Sequence, residues 1–214
     1  GEPIEHRWLN HSIESAQRRV EQRNFSIRKR TLEYDDVMNR QRSVVYDFRS
    51  RVLREEDVHG LALDVLHDMV LTEAEERLSD ARSAQPDDYA EWASRLFPVA
   101  VSAADVKPFA GNPEGAAEMV FKQVEEAYEM KCSLEDPQVL PRLERFVVLR
   151  SIDREWQDYL RAMDDLRQSV NLRAYGQRDP LIEYKREAFH MFEQLMNAIK
   201  TEVVTGEFRA ATAR

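Results

Sequence analysis

The feature that most constrains this fold is a stretch without glycine or proline that occupies positions 4–59. Strong helix formers (Arg, Glu, Gln and Leu) fill it, and neither of the residues that commonly end helices interrupts it. The stretch predicts one continuous helix over about 6–59. At about 1.5 Å per residue, such a helix would be on the order of 80 Å long.

The apolar residues of this helix fall into two rows. Row A comprises Ile13, Val20, Ile27, Tyr34 and Phe48, flanked by Ala16, Val37 and Val44. Row B comprises Phe25, Leu32, Tyr46 and Leu53. At about 100° per residue, Phe25 and Ile27 lie about 160° apart, so the rows face nearly opposite ways. Because a surface helix has one apolar face, two rows favour a central scaffold helix with neighbours on both sides over a long helix in an ordinary bundle.

Composition predicts an all-α protein, because the chain has only six glycines and 33% charged residues and lacks β-branched runs of alternating polarity. The net charge of −9 argues against general nucleic-acid binding, which needs a basic surface. The single cysteine, Cys132, excludes an internal disulfide and is expected to be a buried or half-buried thiol. No run is apolar enough to span a membrane, and no signal peptide is recognisable. The opening on a scaffold helix suggests a piece of a larger protein.

Proline and glycine positions predict four segments. Residues 1–60 form the long scaffold helix, 61–140 a compact helical module, 141–204 a helical hairpin and 205–214 a flexible tail. Inside the module, Pro86 is placed to start a helix, and a one-turn helix is possible after Ser102. Asn112 followed by Pro113 is a strong helix-start signal, since it combines a capping side chain with proline at the first helical position.

The hairpin is predicted from apolar residues spaced by seven. The first arm carries Leu149, Trp156, Met163 and Val170, with Ile152, Tyr159 and Leu166 beside them. The second arm carries Ile182, Phe189, Met196 and Val203, with Phe192 and Ile199 beside them. A polar connection over 171–180 joins the arms, which favours an antiparallel pair of helices with an exposed tip.

The hairpin tip is the sharpest local feature. Arg167, Arg173 and Arg178 gather there in a chain that is acidic overall, and Tyr175 lies at the centre of the loop. Tyrosine offers apolar area and one hydroxyl on a side chain of low entropy, which suits tolerant contact with a polypeptide. A solvated turn, with Tyr175 packed back on the arms, is the alternative.

No catalytic constellation is recognisable. The glycines form neither GxxxxGK[ST] nor GxGxxG, so no phosphate-binding loop is present in the sequence. The five histidines lack metal-ligand spacing and are expected to be surface or packing residues. A cluster of arginines and one lysine over 18–30 could indicate a nucleic-acid-binding helix, but interleaved acidic residues favour a surface that faces a protein partner. The chain is therefore interpreted as a binding and mechanical module, not an enzyme.

Two long motifs resemble one known family. The run EQRNFSIRKR over 21–30, followed by LEYDDVMNRQR over 32–42, resembles the scaffold helix of the SecA preprotein translocase motors. MDDLRQ over 163–168, LRAYGQRDP over 172–180 and EYKRE over 183–187 resemble the two-helix finger of the same family. The two matches lie at opposite ends of the chain in the family's order, and 61–134 falls where that family has its helical wing domain.

This resemblance implies a function and a set of partners. The family's motors hydrolyse ATP, with Mg, in motor domains that have no counterpart in these 214 residues, so the segment itself is expected to hold no cofactor or metal and to lack enzymatic activity. They drive unfolded preproteins through the SecYEG channel from the cytoplasm, as peripheral proteins on the cytoplasmic face of the inner membrane. The finger region is also described as regulating the motor's ATPase activity.

The resemblance also implies site residues. The preprotein and channel contacts are Tyr175, Arg173, Arg178 and Arg167, and the scaffold contacts to the motor domains are Arg23, Asn24, Arg28, Tyr34, Asp35 and Asp36. One departure concerns the tip, where Ala174 precedes Tyr175 and Gly176 follows it, whereas the family commonly has the glycine first. The alternative function is a free-standing helical adaptor that binds partner proteins through its long two-faced helix.

Overall fold

The computed structural model describes residues 7–173 and 179–211, and within these ranges the chain contains helices and no strands. The α-helices are α1 (Arg7–Arg54), α2 (Val58–Leu78), α3 (Pro86–Leu96), α4 (Ala103–Val106), α5 (Pro113–Cys132), α6 (Leu140–Arg173) and α7 (Pro180–Arg209). A 3-10 turn, Lys107–Phe109, follows α4. The predicted all-α class is confirmed.

Helix α1 confirms the long opening helix, with 48 residues in one continuous element. It ends at Arg54, a few residues before the predicted end, because Asp57 starts the next helix. The Asp57 carboxylate accepts a hydrogen bond from the backbone N–H of Gly60 at 2.8 Å. This side-chain cap satisfies one of the free N–H groups of α2 and thereby fixes the break between the two helices.

Contacts divide the chain into two compact units, which are described separately. The smaller unit contains 1–44 and 163–190, and the larger unit contains 45–162 and 191–214. Helices α1, α6 and α7 each contribute residues to both units. The division into segments 1–60, 61–140 and 141–204 stays a prediction.

The larger unit has an apolar core built mainly from α2, α3 and α5. An aromatic series runs through it: the ring of Tyr89 stacks on Trp92 with centroids 5.7 Å apart, and Phe97 meets Trp92 edge-on at 5.7 Å. Phe97 in turn lies 6.0 Å from Phe208 of α7. The prediction of a flexible tail over 205–214 is therefore wrong for 205–209, because these residues continue α7 and Phe208 packs against the core.

The helix starts of the larger unit follow the local sequence signals. Asn112 caps α5 by accepting a hydrogen bond from the Gly115 N–H at 3.1 Å, and Pro113 occupies the first turn as predicted. The one-turn helix α4 is present, with Ser102 and Asp105 forming a reciprocal capping box. Gly111 has a φ of 83°, a left-handed angle that favours glycine, and its N–H donates to the carbonyl of Leu78 at 2.8 Å.

In the smaller unit, α1 packs against the C-terminal part of α6 and the N-terminal part of α7. Tyr34 of α1 is 5% exposed, and its ring lies edge-on to that of Tyr184 with centroids 4.7 Å apart. Seven residues further along α1, the Gln41 side-chain amide donates to the backbone carbonyl of Ala188 at 3.0 Å. Leu166 and Val170 of α6 are buried as well.

The two arms of the predicted hairpin are antiparallel helices, as expected. In the larger unit the ring of Tyr159 lies 6.1 Å from Phe192, and the Arg154 guanidinium donates to the Glu202 carboxylate at 2.8 Å. Because the earlier residue of α6 contacts the later residue of α7, the two helices run in opposite directions. The first-arm rows are buried as predicted except for Leu149, which is half-buried.

The predicted row of the second arm is partly wrong. Ile182 and Phe189 are 65% and 60% exposed, and Met196 is half-buried. The buried residues of α7 include Tyr184, Ala188, Leu195, Ile199 and Val203. Ala188 is 0% exposed and its carbonyl accepts a hydrogen bond from the Gln41 amide, so α1 lies against this face of α7. Phe189 lies about 100° further around the helix and faces outward.

Candidate functional site

The first half of α1 carries apolar side chains that the described residues leave uncovered. Ile27 of row A is 54% exposed and Val20 is 57% exposed, whereas Tyr34, one heptad further along the same row, is buried. On the opposite face, Phe25 and Leu32 of row B are 70% and 67% exposed. The apolar rows therefore extend beyond the part of the helix that α6 and α7 cover, and they are candidates for protein contact.

The predicted scaffold contacts lie at the boundary of this uncovered region. Arg23, Asn24 and Arg28 are exposed, and Asp36 is exposed beside Arg40, with the nearest charged atoms 3.7 Å apart. Tyr34 differs from the others, because α7 covers its side chain and leaves it 5% exposed. In this structure the ring of Tyr34 packs against Tyr184 inside the smaller unit.

Arg167 and Asp35, predicted for two different contacts, come together in the smaller unit. The Arg167 guanidinium donates to the Asp35 carboxylate at 3.4 Å and lies over the Tyr34 ring, 5.6 Å from its centroid. Both charged side chains are about half exposed, so the pair is expected to contribute at most about 1 kcal/mol to stability. The geometry links the basic end of α6 to the scaffold helix.

The other predicted tip residues lie at or beyond the limits of the described residues. Tyr175 and Arg178 lie outside the described residues, and Arg173 is the last residue of α6, with its side chain outside that description. Their predicted contact with a preprotein and its channel stays a prediction.

A buried polar cluster in the larger unit was missed by the sequence analysis. Glu144 of α6 and Glu207 of α7 are 0% and 1% exposed, and the Tyr128 hydroxyl lies 2.8 Å from Glu144 Oε1 and 3.2 Å from Glu207 Oε2. His59 of α2 places Nδ1 2.7 Å from Glu144 Oε1 and Nε2 2.8 Å from Glu129 Oε1. Carboxylates on three elements thus surround one imidazole and one phenol.

The hydrogen-bond geometry assigns the protons of this cluster. Both ring nitrogens of His59 face carboxylate oxygens, which accept, so both nitrogens donate and the imidazole is a cation. The Tyr128 hydroxyl donates to Glu144 Oε1 at 2.8 Å and, as a weaker shared hydrogen bond, to Glu207 Oε2 at 3.2 Å. Because burial favours the uncharged form of a carboxyl group, Glu207 is assigned as a neutral acid. In this assignment the His59 imidazolium contacts two acidic side chains, Glu144 through Nδ1 and Glu129 through Nε2.

The pKa directions agree with this assignment. Burial raises the pKa of Glu207 to about 8, and the neighbouring Glu144 acts in the same direction. Burial alone would lower the pKa of His59, but hydrogen bonds to Glu129 and Glu144 outweigh it, so that pKa is raised. Burial, reinforced by the charges of Glu207 and Glu144, raises the pKa of the Tyr128 hydroxyl.

One sequence signal could have indicated this cluster. Glu144 lies four and eight positions before Val148 and Ile152, which are fully buried, so it occupies the inward face of α6. A carboxylate on a buried helical row needs a hydrogen-bonding partner. His59, Tyr128 and Glu207 are distant in sequence, and no spacing rule would have brought them together.

Comparison with known proteins identifies the family. The family model described as the SecA Wing and Scaffold domain matches residues 3–211. The chain belongs to the SecA wing and scaffold family. It is 40% identical over 210 residues to the protein translocase subunit SecA of Chlorobaculum tepidum, and 39% identical over 210 residues to that of Chloroherpeton thalassium. The match covers 98% of this chain in both cases, and 20% of each relative.

A third SecA relative, from Heliobacterium modesticaldum, is 38% identical over 216 residues, with 97% of this chain and 25% of the relative covered. The chain thus spans about a fifth to a quarter of the length of the SecA proteins it matches. The resemblance drawn from the scaffold and finger motifs is confirmed. None of the described helices combines the length and the apolar character that crossing a bilayer requires.

Proposed function

We propose that this chain is the scaffold, wing and finger portion of a SecA-type translocase, which couples ATP-driven motor domains to the movement of unfolded preproteins into the SecYEG channel. ATP and Mg would bind only in the motor domains of the whole protein, which we expect to work in the cytoplasm and at the cytoplasmic face of the inner membrane. Family membership supports this proposal, and no comparison supports a free-standing adaptor.

The observation that carries the proposal is the uncovered apolar surface on the first half of α1. Ile27 continues the row in which Tyr34 is buried, yet 54% of its surface is exposed. Burying one such side chain contributes about 1.5–3 kcal/mol, so the row is suited to dock another domain. We assign this surface, with Arg23, Asn24, Arg28, Asp35 and Asp36 around it, to contact with the motor domains.

Movement would then pass through continuous helices. Nucleotide-driven shifts of the motor domains would displace α1, and the finger helices α6 and α7 would carry that displacement to Tyr175 at the tip. Packing between α1 and α7 through Tyr34 and Tyr184 supports this route, since a loose connection would absorb the displacement.

The test uses the full-length protein with SecYEG vesicles and measures ATP-dependent preprotein transport. Ile27→Asp should weaken docking of the motor domains by roughly 10–100-fold, the equivalent of one buried aliphatic side chain, and transport should fall accordingly. Gln22→Asp adds the same charge at an exposed position outside both rows and serves as the matched control. Equal transport by the two variants would contradict the proposed role of row A.

A further inference from the structure

Three side chains of metal-ligating type converge in the larger unit from three different helices. His59 of α2, Cys132 of α5 and Glu144 of α6 offer one nitrogen, one sulfur and one oxygen, and these ligand atoms all lie within 4.8 Å of one another. Ligands of a tetrahedral zinc ion, bound at about 2.0–2.3 Å, stand roughly 3.3–3.8 Å apart. Side-chain shifts of about 1 Å would therefore bring the three atoms to bonding positions around one ion.

The groups around these ligands have the arrangement that metal sites require. A metal-binding histidine commonly donates its second ring N–H to a carboxylate, and ligating carboxylates are themselves hydrogen-bonded. Here Glu129 Oε1 lies 2.8 Å from His59 Nε2, which leaves Nδ1 on the side of Glu144. The Tyr128 hydroxyl donates to Glu144 Oε1 at 2.8 Å. Both orienting contacts can persist when an ion binds.

Unpartnered buried oxygens provide an independent indication. Glu144 Oε2 and Glu207 Oε1 are buried and have no hydrogen-bond partner within the described part of the chain. Buried carboxylate oxygens normally have a hydrogen-bond partner, so an unpartnered one is consistent with a bound ligand at that position. Glu144 Oε2 belongs to a ligand of the triad, and Glu207 joins the same cluster through the Tyr128 hydroxyl.

We propose that His59, Cys132 and Glu144 form a binding site for one divalent transition-metal ion of the zinc type. A neutral imidazole, a thiolate and a carboxylate together balance the two charges of the ion, so the buried site stays neutral. Binding displaces one proton from the His59 imidazolium and one from the Cys132 thiol. The ion would join α2, α5 and α6, and this site does not depend on the proposed function.

The site is accessible from solvent on the side of α2. His59 is partly exposed, with a side-chain exposure of 31%, and provides the access route for the ion.

The test titrates the metal-free 214-residue chain with Cd²⁺ and with Zn²⁺. The sequence has one cysteine, so an ultraviolet thiolate-to-cadmium band can come only from Cys132. We expect one equivalent of Cd²⁺ to produce this band, Zn²⁺ to raise Tm, and Cys132→Ser to abolish both effects. Glu129→Gln should weaken binding about 10–100-fold through the histidine it orients. His67→Gln is the control, because His67 packs edge-on against Phe121 away from the triad.

A measurement on the unsubstituted chain keeps the proposal testable if Cys132→Ser fails to fold. Zn²⁺ should slow the reaction of Cys132 with a thiol reagent, and chelator should restore the original rate. Absence of both the cadmium band and this protection would overturn the proposal. A zinc-induced rise in Tm that persists in folded Cys132→Ser would also overturn it, because the ion would then bind at surface carboxylates.

Discussion

The ring of Tyr34 lies edge-on against the ring of Tyr184, with centroids 4.7 Å apart and planes inclined by 60°. This contact joins the scaffold helix α1 to α7 inside the smaller unit. Tyr184 is 1% exposed, and burial raises its pKa to about 12. Edge-to-face aromatic pairs add to the free energy of burial, so this pair is a principal anchor between the two helices.

Tyr184→Ala should lower the free energy of unfolding by about 3–5 kcal/mol, because it removes a fully buried aromatic side chain. Urea denaturation followed by circular dichroism measures the change. Phe189→Ala is the matched control on the same helix; Phe189 is 60% exposed, and we expect a change within about 0.5 kcal/mol. If Phe189→Ala lowered the free energy of unfolding more than Tyr184→Ala, Phe189 would be the inward residue, as the sequence predicted, and the register in the structure would be contradicted.

Trp156→Ala should destabilise the larger unit by about 3–5 kcal/mol. The Trp156 ring is 7% exposed; it stacks near Tyr159 at 5.5 Å and meets Tyr46 edge-on at 6.4 Å. Thermal and urea denaturation of the variant measure the loss. Phe146→Ala, on the same helix at a position 58% exposed, should have little effect, and a similar loss in both variants would exclude a special role for Trp156.

Glu207→Gln should stabilise the protein increasingly as the pH rises. The pKa of Glu207 is about 8 in the folded state, against an ordinary value of 4.5, so between these values the folded state holds one more proton than the unfolded state. The unfolding free energy of the unsubstituted chain therefore falls with rising pH, by up to about 1.4 kcal/mol per pH unit from this group. Glutamine cannot titrate, and its side-chain oxygen can still accept a hydrogen bond from the Tyr128 hydroxyl.

Urea denaturation in chelator between about pH 5 and pH 9 measures this effect. The gain of Glu207→Gln over the unsubstituted chain should grow up to about pH 8 and then level off. The groups that face Glu207 are His59 of α2, Tyr128 and Lys131 of α5, and Glu144 of α6, and all of them remain in the variant. A stability difference that does not change with pH would refute the neutral-acid assignment.

Tyr175→Gly should slow preprotein transport in the full-length protein, because the variant loses the aromatic contact proposed at the finger tip. A photo-reactive amino acid at position 175 should cross-link to a preprotein stalled during transport. The same amino acid at Met130, which is 71% exposed on α5, provides the comparison position. Unchanged transport in Tyr175→Gly, together with no cross-link from position 175, would contradict the proposed contact between Tyr175 and the preprotein.

The sequence was sufficient for features that depend on neighbouring residues. The absence of glycine and proline predicted α1, and the Asn112–Pro113 signal predicted the start of α5, since both depend on local backbone chemistry. The choice between Ala188 and Phe189 as the inward residue was not predictable, because it depends on how closely α1 approaches α7. Hydrophobicity alone favours the larger residue.

The buried cluster shows a second limit of sequence reasoning. Glu207 lies in a segment that lacks an apolar pattern, and its burial follows from the packing of Phe208 and Val204 on the aromatic core. Its partners come from α5 and α6, and only the folded chain brings them together. The exposed apolar residues on the first half of α1, in contrast, were visible in the sequence as members of rows A and B.

The most direct test of the central claim is photo-cross-linking from position 27 in the full-length protein. The claim is that row A of α1 docks a motor domain of the same chain. We predict a strong intramolecular cross-link from position 27 to a motor domain and a much weaker one from position 22, which is also exposed but lies outside both rows. Equal cross-linking from the two positions, or none from position 27, would contradict the account.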